Sequence, residues 1–239
     1  IIHVVADAGH RVLAPDLVGF GKSDKPVDTA DYTYDNHVNW LTRWTEELDL
    51  WNITLVCQNW GSLLGLRLAA ENHRRFSRII VGNGMLPTGD SPVPSVFRLW
   101  KAFASHSPWF PVARIIQLGT ERALSSGELA AYEAPFPDAR HKAGARAFPK
   151  LVPTSPSDPS SAANREAWRI LEKWRKPFIT CFSSSDPITR GGDRLMQRRI
   201  PGAFGQPHIT LSGGHFLQED SPRQFARVIL DALKAEMAA

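Results

Sequence analysis

The stretch Thr54–Leu68 constrains the fold more than any other part of this 239-residue chain. A short apolar run, Ile53 to Cys57, passes almost directly into Leu63, Leu64, Leu66 and Leu68, which recur at helical spacing. Strand must therefore turn into helix within a few peptides. So abrupt a turn needs small neighbours, and Cys57 and Gly61 flank the turning residue, Asn59. The side chain at such a turn is thrown out over the helix N-terminus, beside backbone N–H groups that favour negative charge. This is the geometry of an elbow that presents a nucleophile, yet the residue presented is an amide.

Strand-like and helical runs alternate on both sides of the elbow. Ile1 to Gly9 reads as a helix end with Gly9 as its stop, and His10 to Ala14 as a short strand. Leu17 to Val27, with Gly19, Gly21 and Pro26, reads as a loop, and Thr33 to Leu50 as a helix. Arg78 to Gly82 is the next strand. After Lys176-Pro177 come a strand (Phe178–Phe182), a helix (Gly192–Arg199), a strand (His208–Leu211) and a closing helix from Gln218 to Met237. Such alternation predicts a parallel sheet covered by helices on both faces, an α/β fold. Between its halves the composition shifts to Pro, Ser and aromatics, with short helical pieces at Ser95–Ala104 and Gly127–Tyr132. The expected division is core over 1–86, an inserted helical cap over 87–161, and core again over 162–239.

Composition excludes several function classes. The net charge of +4 comes from scattered Lys and Arg, with no basic stripe or recognised module for nucleic acid. No run approaches the roughly 20 apolar residues of a membrane span. The two cysteines, Cys57 and Cys181, fall in apolar runs and read as buried free thiols. The eight histidines are dispersed, so no metal site is suggested.

Three polar residues stand just past the C-terminal ends of strand-like runs: Asn59, Asp186 and His215. In an open parallel sheet those ends converge on one crevice, where ligands bind. The chain order of nucleophile position, acid and histidine is that of α/β-hydrolases.

Six segments together resemble the haloalkane dehalogenases. They are Gln58-Asn-Trp-Gly61, Leu13-Ala-Pro-Asp-Leu-Val-Gly-Phe-Gly-Lys-Ser-Asp-Lys-Pro26, Ala134-Pro-Phe-Pro-Asp138, Gly144-Ala-Arg-Ala-Phe-Pro149, Ser185-Asp-Pro-Ile-Thr-Arg-Gly191 and Gly213-Gly-His-Phe-Leu-Gln-Glu219. The segment Leu13–Pro26 is shared with epoxide hydrolases, whereas Trp60 and the Ala134–Pro149 segment are more specific. The resemblance implies Asn59 at the nucleophile position, His215 as general base and Asp186 as its acid. Other members of the family place the acid after the strand preceding the cap, where this chain has Asn83. It also implies a small halogenated hydrocarbon as substrate, halide and water as the other ligands, no cofactor, and a cytoplasmic enzyme.

The chemistry explains these residue types. A carboxylate at the elbow displaces halide from an sp³ carbon and forms an alkyl ester. A histidine held in one tautomer by its acid then activates the water that hydrolyses the ester. The leaving halide suits indole N–H donors. Trp60 resembles the first and Trp100 the second, with Trp109 as competitor. Phe97, Phe103, Phe136 and Phe148 are expected to wall the pocket.

The chain departs from the family at Asn59, where the family has Asp, and at Ser62, where it has Gly. Asn59 leaves three readings: a chemically dead binding homologue, an engineered substrate trap, or an amide that His215 and water convert to Asp. Ser62 lies too far into the helix to substitute as nucleophile. Family members also have a strand ending in a His-Gly-x-Pro-like loop upstream of the first helix read here. Without that strand, residues 1–239 are expected to be poorly soluble or unstable. An epoxide hydrolase would need phenolic donors in the cap, and Tyr132 is the lone candidate there. A serine hydrolase lacks its Ser at the elbow.

Overall fold

The computed structural model describes residues 1–93 and 95–234. Four parallel strands, β1 (Ile53–Asn59), β2 (Phe76–Gly84), β3 (Phe178–Ser183) and β4 (Ile209–Leu211), lie side by side in chain order. Successive residues of β2 face opposite sides of the sheet, as a period of two requires. Ile79 and Val81 pack with α3 (Trp60–Glu71), α8 (Ser161–Leu171) and α9 (Gly192–Arg199), through Leu66, Leu68, Trp168, Leu171 and Met196. Ile80 faces the other way, with Ile179, Cys181 and Leu211, onto Val5 of α1 (Ile2–Asp7) and Phe225 and Ile229 of α11 (Pro222–Lys234). Both faces of the middle strands are thus covered, which is why Ile79–Val81 of β2 and Phe178–Ile179 of β3 are apolar runs. Cys57 and Cys181 are buried free thiols inside these layers. Burial raises both, the Cys181 thiol to about 12.

Helix α2 (Tyr34–Glu47) starts at Thr33, whose hydroxyl accepts from the Asn36 N–H, and packs against α3. Between β2 and β3 lie α4 (Ser95–His106), α5 (Val112–Leu118), α6 (Ser126–Glu133) and α7 (Ala143–Leu151). The first and third of these match the expected helical pieces. Helix α5 follows directly on Pro111 and α7 contains Pro149, which obscured both in the sequence.

Two expectations need correction. His10–Ala14 forms no strand, because a strand exists through its ladder and no described residue pairs with it. Leu13 is left 41% exposed. Among the described residues strand β1 likewise pairs with β2 alone, and Val56 in its middle is 38% exposed. The closing helix is broken at Ser221 into α10 (Leu217–Asp220) and α11, since Pro222 can begin a helix but not continue one. Residues 235–237, the expected end of that helix, lie outside the described residues. Among the described residues no helix is long and apolar enough to cross a membrane.

Candidate active site

Strand β1 ends on Asn59 and α3 begins at the next residue, so strand and helix share a single peptide junction. Asn59 has φ 48° and ψ −122°, a conformation that costs a residue with a Cβ on the order of 1–3 kcal/mol. Ser62 helps hold it there. Its fully buried hydroxyl lies 2.6 Å from the Asn59 carbonyl oxygen and accepts from the Met85 N–H at 2.8 Å, tying the elbow to the end of β2. The hydroxyl is thereby occupied and inaccessible, as the expectation that it is no nucleophile requires. A Cβ on Gly61 would sit 3.7 Å from that of Cys57, so the elbow has room for a methyl at this point. The Asn59 side chain makes no capping bond to α3. The N–H groups of the first turn of that helix have no intrahelical acceptor.

Asp186 and His215 meet in the crevice at the strand ends. Asp186 Oδ2 lies 3.1 Å from His215 Nδ1, and the two side chains are 2% and 6% exposed. Burial pushes the Asp186 carboxyl up. The hydrogen bond and charge of His215, the Thr189 hydroxyl and the Ile188 N–H outweigh it and leave the group below the ordinary carboxylate range. With Nδ1 so engaged, Nε2 is the ring nitrogen left to handle a substrate-side proton. No side-chain hydrogen bond joins Asn59 to His215 among the described residues. Their connection runs through Gln58, whose Nε2 donates to the His215 carbonyl at 2.8 Å. The loop carrying His215 also reaches the segment between β2 and β3. Phe216 N donates to Gly119 O, while Asp220 accepts from Gly214 N at 2.7 Å and from the Glu121 and Arg122 N–H groups.

The aromatic candidates divide into two groups. The Trp60 ring packs on Phe148 at 4.3 Å between centroids and on Tyr34 at 5.8 Å, and Phe97 lies in the same cluster. Trp100 follows Phe97 by one helical turn on α4 and stacks with Phe103 at 5.9 Å and Phe110 at 5.8 Å. Phe136 joins the first group through Phe20, which contacts it at 6.4 Å and Phe148 at 4.6 Å. Trp109 is 58% exposed beneath the Arg114 guanidinium, which leaves Trp100 the better enclosed of the two indoles. Neither the Trp60 nor the Trp100 N–H has a protein acceptor among the described residues, in contrast to Trp168, which donates to the Leu86 carbonyl. Tyr132, the phenol an epoxide hydrolase would need, donates to Glu219, and burial raises it further above its ordinary range.

Sequence reasoning did not single out Phe20, Tyr34, Thr189 or His37. Phe20 lies inside the Leu13–Pro26 segment, and Thr189 three residues after Asp186, where a hydroxyl can reach back to the carboxylate. His37 falls on the inward face of α2 by its spacing from Tyr34 and Leu41. Among the described residues no group of three or more His, Cys, Asp or Glu side chains is placed to hold a metal ion.

Comparison with known proteins places the chain in a family. Residues 1–222 match the family model for the alpha/beta hydrolase fold. The chain is 55% identical to a haloalkane dehalogenase of Psychrobacter cryohalolentis over 96% of its own length and 76% of the relative's. With haloalkane dehalogenase 1 of Mycobacterium tuberculosis the identity is 51%, over 96% and 77% of the two chains. A tetrameric haloalkane dehalogenase from Paraglaciecola agarilytica superposes with a TM-score of 0.88 at 34% identity, over 98% of this chain and 77% of that one. The chain belongs to the haloalkane dehalogenase family, hydrolases of the α/β-hydrolase superfamily that act on carbon–halogen bonds.

Proposed function

We propose that this chain carries a haloalkane-hydrolysing site whose two half-reactions are unequally provided for. In the first, a carboxylate at position 59 displaces halide from an sp³ carbon and becomes an alkyl ester, while the Trp60 and Trp100 N–H groups receive the halide. In the second, His215, oriented by Asp186, takes a proton from water. The water oxygen attacks Cγ of residue 59, and the alcohol departs with the carboxylate restored. Residues 87–161 act as the cap, with Phe97, Phe103, Phe136 and Phe148 walling an apolar pocket for a small haloalkane. Halide and water are the only other ligands, no cofactor takes part, and the enzyme is cytoplasmic.

The observation that carries this reading is the buried Asp186–His215 pair, 3.1 Å apart at the strand ends beside the elbow. It equips the second half-reaction. Asn59 does not equip the first, because amide resonance ties up its lone pairs and it bears no full charge. The second half-reaction, however, acts on Cγ whichever group is attached to it. Water added there with His215 as base, followed by loss of ammonia with a proton returned from His215, turns Asn59 into Asp. Asn59 is then a masked nucleophile, and its uncapped side chain is free to take part.

The test compares Asn59→Asp with the unaltered chain. The variant is expected to release halide from a 1-haloalkane at once. The unaltered chain is expected to bind halide, seen as quenching of tryptophan fluorescence, before it releases any. No halide release from the Asn59→Asp variant would leave only a halide-binding protein.

A further inference from the structure

The carbonyl oxygen of His215 is gripped by two side-chain amides from two different strands. Gln58 Nε2, at the end of β1, donates to it at 2.8 Å, and Asn83 Nδ2, near the end of β2, donates at 2.9 Å. Asn83 does more. Its Nδ2 also faces the Gly214 carbonyl and Ser183 Oγ, each at 2.9 Å, and its Oδ1 accepts from the Ser183 N–H at 2.8 Å. Ser183 Oγ in turn donates to the Gly214 carbonyl at 2.6 Å. Asn83 is fully buried and sits at φ 37°, a left-handed conformation that a residue with a side chain adopts only when its surroundings insist.

These partners dictate the chemistry of position 83. One face of the side chain meets an N–H and must accept. The other meets two carbonyls and a hydroxyl whose proton is already given away, and must donate. An amide meets both demands and an ionised carboxyl does not. A carboxylate would aim its second oxygen at two carbonyl oxygens 2.9 Å away, with no proton between them. With these partners Asn83 offers His215 no carboxylate, and Asp186, just past the end of β3, faces its Nδ1 instead.

We propose that Asn83, with Gln58 as its second grip, is a positioning residue for the hydrolytic base. Together they fix the His215 peptide against the ends of β1 and β2, so that the imidazole stands at one height over the elbow. This rests on the roles assigned above to His215 and residue 59. Displacing a catalytic group by about 1 Å can cost about 10²-fold in rate, and here the loss falls on the hydrolytic half-reaction alone.

The experiment places Gln58→Ala and Asn83→Asp separately in the Asn59→Asp protein. Halide release is followed through the first turnover and into steady state, alongside proton NMR of the His215 Nδ1–H that faces Asp186. Each variant is expected to keep a stoichiometric first-turnover burst of halide and to lose about 10–10²-fold in steady-state turnover, with KM unchanged or lower as the ester accumulates. The Nδ1–H resonance is expected to shift or broaden. Should Asn83→Asp fail to fold, Gln58→Ala carries the test. The proposal is overturned by burst and steady state falling together, by neither changing, or by an unaltered Nδ1–H resonance. If the Asn59→Asp protein itself releases no halide, the dehalogenation reading fails, and the resonance alone decides the clamp.

Discussion

The imidazole of His37 offers a prediction with a definite sign and size. It is 1% exposed, and neither ring nitrogen has a hydrogen-bond partner among the described residues. Instead it packs against Tyr32 at 5.9 Å and meets Trp40 at 5.0 Å and Phe148 at 4.8 Å, both nearly edge to face. Burial lowers its pKa from 6.5 to about 4. Between those values the unfolded chain binds a proton that the folded chain refuses, so stability falls as pH falls. The His37 contribution is fully present above about pH 6.5 and is lost progressively toward pH 4. At about 1.4 kcal/mol per pKa unit the whole effect is about 3 kcal/mol, of which about 2 kcal/mol is gone by pH 5. Carboxylates held below their ordinary range, such as Asp186, add their own losses only at lower pH. His37→Phe keeps a ring in the aromatic stack and removes the titration. Urea melts at pH 7.5 and pH 5 are expected to show the unaltered chain losing about 2 kcal/mol more than the variant. Equal losses in the two proteins would refute the reasoning. Because Phe148 stacks on Trp60, the same series should show halide binding weakening with acid in the unaltered chain first.

Three further substitutions test the elbow and the proposed halide donors. Ser62→Ala leaves the part-buried Met85 N–H without its side-chain acceptor, and is expected to destabilise the fold by about 1 kcal/mol in denaturant melts. Trp100→Phe is expected to weaken halide quenching of tryptophan fluorescence by about tenfold, the equivalent of one hydrogen bond to a charged group. Trp109→Phe, at an exposed indole, is expected to leave it unchanged. The reverse order would reassign the second halide donor.

The alternation of strand and helix, the elbow and the pairing of Asp186 with His215 were readable because each depends on local pattern or on a rule of parallel sheets. The bounds of α9 follow directly from its glycine start and the proline after Ile200. What escaped depended on partners far away in sequence. His10–Ala14 carries the apolar spacing of a strand but has no described neighbour to pair with. Helices α5 and α7 were masked by prolines that sit harmlessly at or near their ends. The sequence marks Ser62 and Asn83 only by contrast with the resembled family, and shows nothing of their partners. Only the fold reveals that one staples the elbow to β2 and the other ties two strands to the His215 loop. His37 was the hardest to see, since nothing in the sequence marks a histidine whose ring nitrogens go unpartnered.

Asn59 remains the decisive residue: the elbow presents an amide where the proposed first half-reaction needs a carboxylate. Halide release and intact mass, followed together over time for the unaltered chain and for Asn59→Asp, test this most directly. The account predicts immediate release by the variant. For the unaltered chain it predicts a lag, with activity rising in step with a gain of about one dalton as the amide is hydrolysed. Full activity of the unaltered chain at constant mass would contradict it, as would an Asn59→Asp protein that releases no halide.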